Sequence, residues 1–266
     1  MTYKFGFIGA GNMGGALLVA AAKGNIYEKI AVYDTFAEKA KSFEEKYDNV
    51  TATALDTLVK ESEYIFIGVK PQMAKALFSE IAPLFNEYNP VLVSMLAGTS
   101  IEKICTLAEK EMPVIRIMPN TPALIGEGTI LYCNNHTVTE NQVDYFVKAM
   151  SGAGLLDKID ENKIDAASAV SGCGPAFAYM FIEALADGAV ECGVPRDKAL
   201  MYAAKMLSGS ADMVLNTGTH PGALKDAVCS PGGTTIAGVH ALEDGAFRSS
   251  VINAVTSAYK RTLELK

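Results

Sequence analysis

Lys4-Phe-Gly-Phe-Ile-Gly-Ala-Gly-Asn-Met-Gly14 is the stretch on which the fold turns. Its first five residues are a short apolar run that reads as a buried strand. The run enters a glycine-rich turn, and Ala16 to Lys23 are good helix formers that stop at Gly24. In this strand, turn and helix, Gly9 permits the tight turn, Gly11 lets a pyrophosphate approach the backbone, and Gly14 lets the helix pack against its strand. Asn12 and Met13 complete the dinucleotide-binding turn at the start of the helix.

Moving outward, Lys29-Ile-Ala-Val-Tyr33 reads as a second strand that ends in Asp34, where a carboxylate can accept from ribose hydroxyls. A carboxylate there repels a 2′-phosphate, and Thr35 to Lys41 offers lysines but no arginine to clamp one, so the sequence leans toward NADH over NADPH. Lys39 or Lys41 swinging in while Asp34 turns away is the alternative. Further strands are predicted at 64–69, 91–95 and 114–118, with helices near 36–47, 73–82 and 100–110, the last supported by a capping-box spacing at Thr99-Ser-Ile-Glu102. Apolar strands alternating with helices predict a parallel sheet covered on both faces.

Ligands of such sheets sit beyond the carboxyl ends of the strands. Val69-Lys70-Pro71, Ser94 to Gly98 with Ala97, and Met118-Pro-Asn120-Thr-Pro122 are therefore expected to line the cofactor cleft. A solvated surface lysine is the competing reading of Lys70, and turn chemistry between two prolines that of Asn120. Strand-like segments at 128–133 and 154–158 bracket a helix that begins after Thr139, whose spacing to Gln142 is again that of a capping box. They extend the same sheet.

Strand signals stop after Glu161, which divides the chain into a dinucleotide-binding domain over 1–160 and a helical domain over 161–266. Ala166 to Glu191 reads as helix, restarted at Ser171-Gly-Cys-Gly-Pro175, and is apolar apart from Glu183, Asp187 and Glu191 along the part after Ala176. A second helix runs from Pro195 to about Asn216 and a last one from about Phe247 to Leu263. Such apolar helices need cover on several sides, and a second copy of the chain is the simplest source. A compact helical domain within one chain is the alternative.

With 266 residues, half of them hydrophobic, the chain can bury a sizeable core. Its net charge of −7 without a basic cluster argues against nucleic acid and anionic membranes as partners. No segment has ~18 uninterrupted apolar residues, so no membrane span is expected. The five cysteines are scattered without paired spacing, as reduced cytoplasmic thiols would be, and no spacing of His, Cys, Asp and Glu suggests a metal site.

Near the C-terminus stands His220-Pro-Gly-Ala-Leu-Lys-Asp-Ala-Val-Cys-Ser-Pro-Gly-Gly-Thr-Thr235. Ser230 can cap a helix with Pro231 at its first position. That leaves the N–H groups of Gly232, Gly233, Thr234 and Thr235 without intrahelical partners, as a seat for a carboxylate. An ordinary capped helix is the competing reading. His220 precedes Pro221 at a helix start and reads as a cap. Lys225 and Asp226 are adjacent on a short helix and point in different directions, so no ion pair between them is expected.

These stretches, with Ser171-Gly-Cys-Gly-Pro175, together resemble pyrroline-5-carboxylate reductases, in order and across essentially the whole chain. The resemblance implies reduction of 1-pyrroline-5-carboxylate, a small-molecule substrate, to L-proline by NADPH or NADH, the last step of proline biosynthesis. It also implies a homodimer interlocked through the helical domain, in many members assembled into a decamer. Ser230 and Thr235 match the family's substrate loop, and Thr235 matches the residue whose hydroxyl contacts the imine nitrogen. The family commonly uses NADPH, so Asp34 marks the departure. A β-hydroxyacid dehydrogenase or general imine reductase would be expected to carry a lysine on the helix after its glycine turn, and Gly174 to Phe181 has none. A nucleotide-sensing regulator would have no use for a carboxylate seat.

Overall fold

The structure, a computed structural model, describes residues 2–264. Its first unit alternates β1 (Tyr3–Ile8), α1 (Asn12–Gly24), β2 (Ile30–Tyr33), α2 (Ala37–Glu44), β3 (Val50–Ala52), α3 (Leu55–Glu61) and β4 (Ser62–Ile67). It continues through α4 (Ala74–Ile81), β5 (Val91–Ser94), α5 (Ile101–Leu107), β6 (Val114–Met118), β7 (Gly128–Asn134), α6 (Glu140–Met150) and β8 (Gly154–Lys158). The strands form one sheet in the order β3-β2-β1-β4-β5-β6-β7-β8. This is the expected Rossmann-type sheet, with two elements that the sequence pattern had not shown. Three-residue β3 and seven-residue α3 are too short for a hydrophobic period to register.

Pairing is parallel from β3 through β6, but β7 runs antiparallel to β6 before β8 returns parallel to β7. The expectation of an all-parallel sheet is corrected at that strand. Between β6 and β7 the chain has only a short 3₁₀ turn, Thr121–Ile125, which cannot make the long crossover a parallel neighbour requires. The β7–β8 connection contains α6 and can. Alternate residues of each strand enter opposite cores: Phe5 and Phe7 pack with Phe66, Leu17 and Phe146 on one face, while Ile8 packs with Ile65, Ile67 and Phe78 on the other. Phe7 and Phe66 stack at 4.3 Å between ring centroids.

Helix starts follow the local chemistry. Thr139 and Gln142 form the anticipated reciprocal box, in which Thr139 Oγ1 accepts from the Gln142 N–H at 3.3 Å and Gln142 Oε1 accepts from the Thr139 N–H at 2.9 Å. At α5 the cap lies one residue later than the Thr99-Glu102 spacing suggested, because Ser100 Oγ accepts from the Lys103 N–H at 3.2 Å. The Ile101 N–H there goes to Glu161 Oε1 at 2.7 Å, a partner 60 residues away that no local pattern announces.

Glu161 opens α7 (Glu161–Ser171), whose Ile164 enters the sheet's core. Arg116, on β6 and 2% exposed, reaches Asp165 Oδ1 at 2.5 Å and Glu161 Oε1 at 3.5 Å. The compact unit that holds the sheet accordingly runs to Cys173, with the chain from Ala258 added, and a second unit spans Gly174–Ser257. The helix restart expected at Ser171-Gly-Cys-Gly is present.

The second unit contains α8 (Gly174–Glu191), α9 (Arg196–Thr217), α10 (Pro221–Ala227), α11 (Thr234–Asp244) and the start of α12 (Phe247–Glu264). Gly193 and Gly218 take positive φ where α8 and α9 end, as glycine alone does without strain. Phe181 meets Phe247 at 5.5 Å, and Asp187 of the polar stripe pairs with Arg196. Burial is sparse: only Ala186 on α8 and Ala199 and Ala203 on α9 are enclosed, while Tyr179, Met180, Met201 and Tyr202 are each more than half exposed. By length and mean hydropathy alone the run Glu161–Glu191 is long and apolar enough to cross a membrane, with 11% of its most apolar window buried. The glycine restart at its middle breaks the continuous apolar run.

Removing the Asp165 charge leaves the buried Arg116 guanidinium with only its longer, 3.5 Å contact to the partly exposed Glu161. Asp165→Asn is expected to lower the unfolding free energy by about 3–5 kcal/mol, whereas Arg116→Met with Asp165→Leu recovers most of it. Urea denaturation of the three proteins measures both.

Candidate active site

The carboxyl ends of β1, β4, β5 and β6 lie along one edge of the sheet, since these strands are parallel and in register. Strand order reverses between β1 and β4, which opens a crevice at that edge. Gly9 lies just past β1 with φ +97°, and a Cβ there would stand 2.7 Å from the Gly68 carbonyl oxygen. A Cβ on Gly14 would collide with the Gly9 carbonyl oxygen. Gly11, in contrast, faces open space, with no atom within 4 Å of an added Cβ. The turn is packed on its inner side and clear on its outer side, as a pyrophosphate's approach requires.

Gly11 is the N-cap of thirteen-residue α1 and makes no side-chain cap. The N–H groups of Asn12, Met13 and Gly14 are thus in the first turn, without intrahelical acceptors, at the positive end of the helix dipole. Val69 and the exposed Lys70 and Pro71 follow β4, Ala97 is exposed after β5, and Asn120 follows β6. Gly68, which the sequence pattern absorbed into a strand, is instead the residue against which Gly9 packs. A glycine closing a buried strand was its only signal.

Asn120 also has a structural role. It is 8% exposed and both ends of its amide are engaged: Oδ1 accepts from the Thr129 N–H at 2.9 Å and Nδ2 donates to the Ser171 carbonyl at 2.9 Å. Its side chain ties the turn after β6 to β7 and to the Ser171-Gly-Cys-Gly loop, with one N–H and one oxygen lone pair of the amide left over. Asp34 accepts from the Ala10 and Phe36 N–H groups, one at each carboxylate oxygen, and each oxygen keeps a further lone pair.

In the second unit the seat forms in a way the sequence only partly anticipated. Ser230 does not cap the helix. Ser230-Pro-Gly-Gly233 is a turn in which the Gly233 N–H donates to the Ser230 carbonyl at 3.0 Å and Gly232 has φ +68°. Proline at the second position and a left-handed glycine at the third are the chemistry of a type II turn, which displaces the helix start by three residues. Gly233 becomes the N-cap of eleven-residue α11, without a side-chain cap. Of the four expected donors only the Gly233 N–H is spent, on the turn; Gly232, Thr234 and Thr235 keep theirs, and Ile236 in the first turn of α11 adds another. The Ser230, Thr234 and Thr235 hydroxyls make no hydrogen bond among the described residues.

His220 caps α10 as expected, its Nδ1 accepting from the Gly222 N–H at 3.1 Å. Lys225 and Asp226 depart from expectation: the long lysine stem bends round and Nζ reaches Asp226 Oδ1 at 2.5 Å. That contact holds the Asp226 carboxyl below its ordinary range and the Lys225 ammonium above its own. All five cysteines are free, and burial pushes the Cys133 thiol up to about 11, which keeps it unreactive.

A switch-point glycine turn on a Rossmann-type sheet, followed by a helical unit, defines a dinucleotide-dependent oxidoreductase of the two-unit kind. A family model described as NADP oxidoreductase coenzyme F420-dependent matches residues 4–98, and one for pyrroline-5-carboxylate reductase dimerisation matches 161–265. Over 99% of its length the chain is 38% identical to a soybean (Glycine max) pyrroline-5-carboxylate reductase, covering 96% of that protein. It is 39% identical to one from Escherichia coli, with 100% of this chain and 99% of that protein covered. A Plasmodium falciparum pyrroline carboxylate reductase solved with NADP bound superposes with TM-score 0.88 at 32% identity, covering 98% of this chain and 97% of its own. The chain belongs to the pyrroline-5-carboxylate reductase family. A reductive aminase from Aspergillus terreus, at 16% identity and TM-score 0.57 over 82% of this chain and 78% of its own, shares the fold alone.

Gly11→Ala is expected to leave the melting temperature unchanged while weakening dinucleotide binding roughly ten-fold or more, since its methyl fills only the ligand's approach. Gly14→Ala should instead lower the melting temperature, because its methyl meets backbone. Thermal unfolding and calorimetric titration of both variants separate the two effects.

Proposed function

We propose that this protein reduces 1-pyrroline-5-carboxylate to L-proline with a nicotinamide dinucleotide, the last step of proline biosynthesis. The observation that carries the reading is the pairing, in one chain, of an open glycine turn on α1 with uncapped donors and free hydroxyls at the start of α11. Gly9, Gly11, Asn12, Met13 and Gly14 hold the pyrophosphate, with Val69, Lys70, Pro71 and Ala97 along the same sheet edge. When bound, the dihydronicotinamide supplies the hydride. Asp34 at the ribose favours NADH, while the P. falciparum relative carries NADP.

The substrate is a small ring with an imine and a carboxylate. Amides of Thr234, Thr235 and Ile236, at the positive end of α11, suit that carboxylate in charge and size, with Ser230 and the Gly232–Gly233 turn beside them. The carboxylate fixes the ring, and the Thr235 hydroxyl hydrogen-bonds the imine nitrogen; as the hydride adds to the carbon, the C=N π pair passes to nitrogen, which takes up one proton from solvent to complete the amine. Fixing reactants in this way supplies ~7–11 kcal/mol of barrier reduction, enough that no protein nucleophile is required. Among the described residues no three His, Cys, Asp or Glu side chains gather as a metal site.

The exposed apolar faces of α8 and α9 are covered by a second copy of the chain rather than by a bilayer. The reading rests on the match of this segment to a dimerisation domain and on the charged stripe of Glu183, Asp187 and Glu191 along α8. Further assembly of such dimers into a decamer is in keeping with the family resemblance. A cytoplasmic setting suits the five unbridged thiols.

A steady-state assay that follows NADH or NADPH oxidation with pyrroline-5-carboxylate tests the reading, and no oxidation of either by folded protein removes it. Thr235→Ala is expected to lower kcat roughly a hundred-fold with dinucleotide affinity intact. An unchanged kcat takes Thr235 out of the mechanism. Sedimentation should give a dimer or a multiple of it; a monomer at micromolar concentration would leave the apolar faces without their cover.

A further inference from the structure

Asp34 holds two backbone groups from different parts of the chain. Its Oδ2 accepts from the Ala10 N–H at 2.8 Å, across 24 residues of sequence, and its Oδ1 accepts from the Phe36 N–H at 2.9 Å. Ala10 lies inside the glycine turn and is 7% exposed, so its N–H has little access to water and needs an acceptor from the protein. Phe36 is the N-cap of α2, where the loop from β2 enters that helix. One carboxylate therefore joins the turn that would receive the phosphates to the loop that would flank the adenosine ribose.

The same two bonds fix where the charge sits. A carboxylate gripped by two N–H groups cannot turn aside for an approaching anion without releasing both. The neighbouring cations are drawn elsewhere, with Lys39 Nζ over the Phe36 ring at 5.0 Å and Lys41 paired to Glu38 at 3.5 Å. No arginine lies between Thr35 and Asp48. The alternative left open by the sequence, in which Asp34 swings away and a lysine replaces it, is opposed by both observations.

We propose that Asp34 is a positioning residue for the glycine turn as well as the residue that selects NADH, so that turn order and cofactor choice are carried by one side chain. This rests on reading Gly9 to Gly14 as a dinucleotide turn. A carboxylate that served only the ribose would be dispensable in the free protein. Asp34 is not dispensable there, because the Ala10 N–H depends on it before any ligand arrives.

Amide hydrogen exchange of the cofactor-free protein and calorimetric titration with NADH and with NADPH, on the wild type, Asp34→Ala and Asp34→Asn, test the proposal. In Asp34→Ala, exchange at Ala10 is expected to rise roughly ten-fold or more. Both dinucleotides should bind more weakly than to the wild type, NADH losing more, so that the affinity ratio moves toward NADPH. Asp34→Asn keeps one acceptor and loses the charge. It should move the ratio comparably with a smaller gain in exchange, and serves alone should the alanine variant not fold. Wild-type exchange at Ala10 in the folded variants overturns the proposal. So does tighter NADPH binding by Asp34→Ala with NADH unaffected, which would show charge repulsion as the residue's whole role. Failure of the reductase reading would appear as absent turnover and leave the exchange result untouched.

Discussion

Three glycine backbones in contact set the geometry of the sheet's functional edge. Gly9, Gly14 and Gly68 come from β1's end, α1's first turn and β4's end, and a Cβ on any of them would fall within about a van der Waals radius sum of a neighbouring backbone oxygen. This closeness draws α1 down onto the sheet where the strand order reverses, so that the uncapped amides of Asn12, Met13 and Gly14 face the crevice. The crevice thus follows from excluded volume before any hydrogen bond is considered. Gly11, alone in the turn in having nothing near it, stays free for a ligand.

Polar contacts then fix what the glycines bring together. Asp34 ties the turn to the loop after β2, Asn120 ties the turn after β6 to the Ser171 loop, and the Arg116–Asp165–Glu161 cluster ties α7 to the sheet. Each uses a buried or half-buried side chain whose partners lie 24 to 51 residues away. Such ties cost desolvation and return it only if the geometry is well met, which makes them devices for one specific arrangement more than sources of stability. They lie close to the strand ends where the dinucleotide is proposed to bind.

The helical unit follows a different logic. Its helices α8 and α9 enclose only three alanines, and large apolar side chains remain outside. Burial is the main driving force for holding helices together, and this unit, which matches a dimerisation domain, leaves much apolar surface that its own helices do not enclose. On α11 the type II turn at Ser230-Pro-Gly-Gly233 removes the residue that would have capped the helix, and the helix begins with its donors free. The proline and two glycines serve the turn, and the exposed helix end is its consequence.

Residue pattern alone carried the strand, glycine turn and helix at the start, seven of the eight described strands, the helix restart at Gly172, and the identification of the family. The elements depend on local chain stereochemistry and on the alternation of apolar residues, both written along the sequence, whereas the family was legible only through the likeness of its motifs to known members. Tertiary structure alone decided that β7 reverses direction, that Ser230 makes a turn instead of a cap, that Lys225 reaches Asp226, and that the Asn120 amide bridges β7 and the Ser171 loop. It alone joined Arg116 to Asp165 and Asp34 to Ala10. Those outcomes are pairings between groups distant in sequence, or competitions between two local choices of similar energy, and neighbouring residues do not encode which partner will be within reach once the chain has closed.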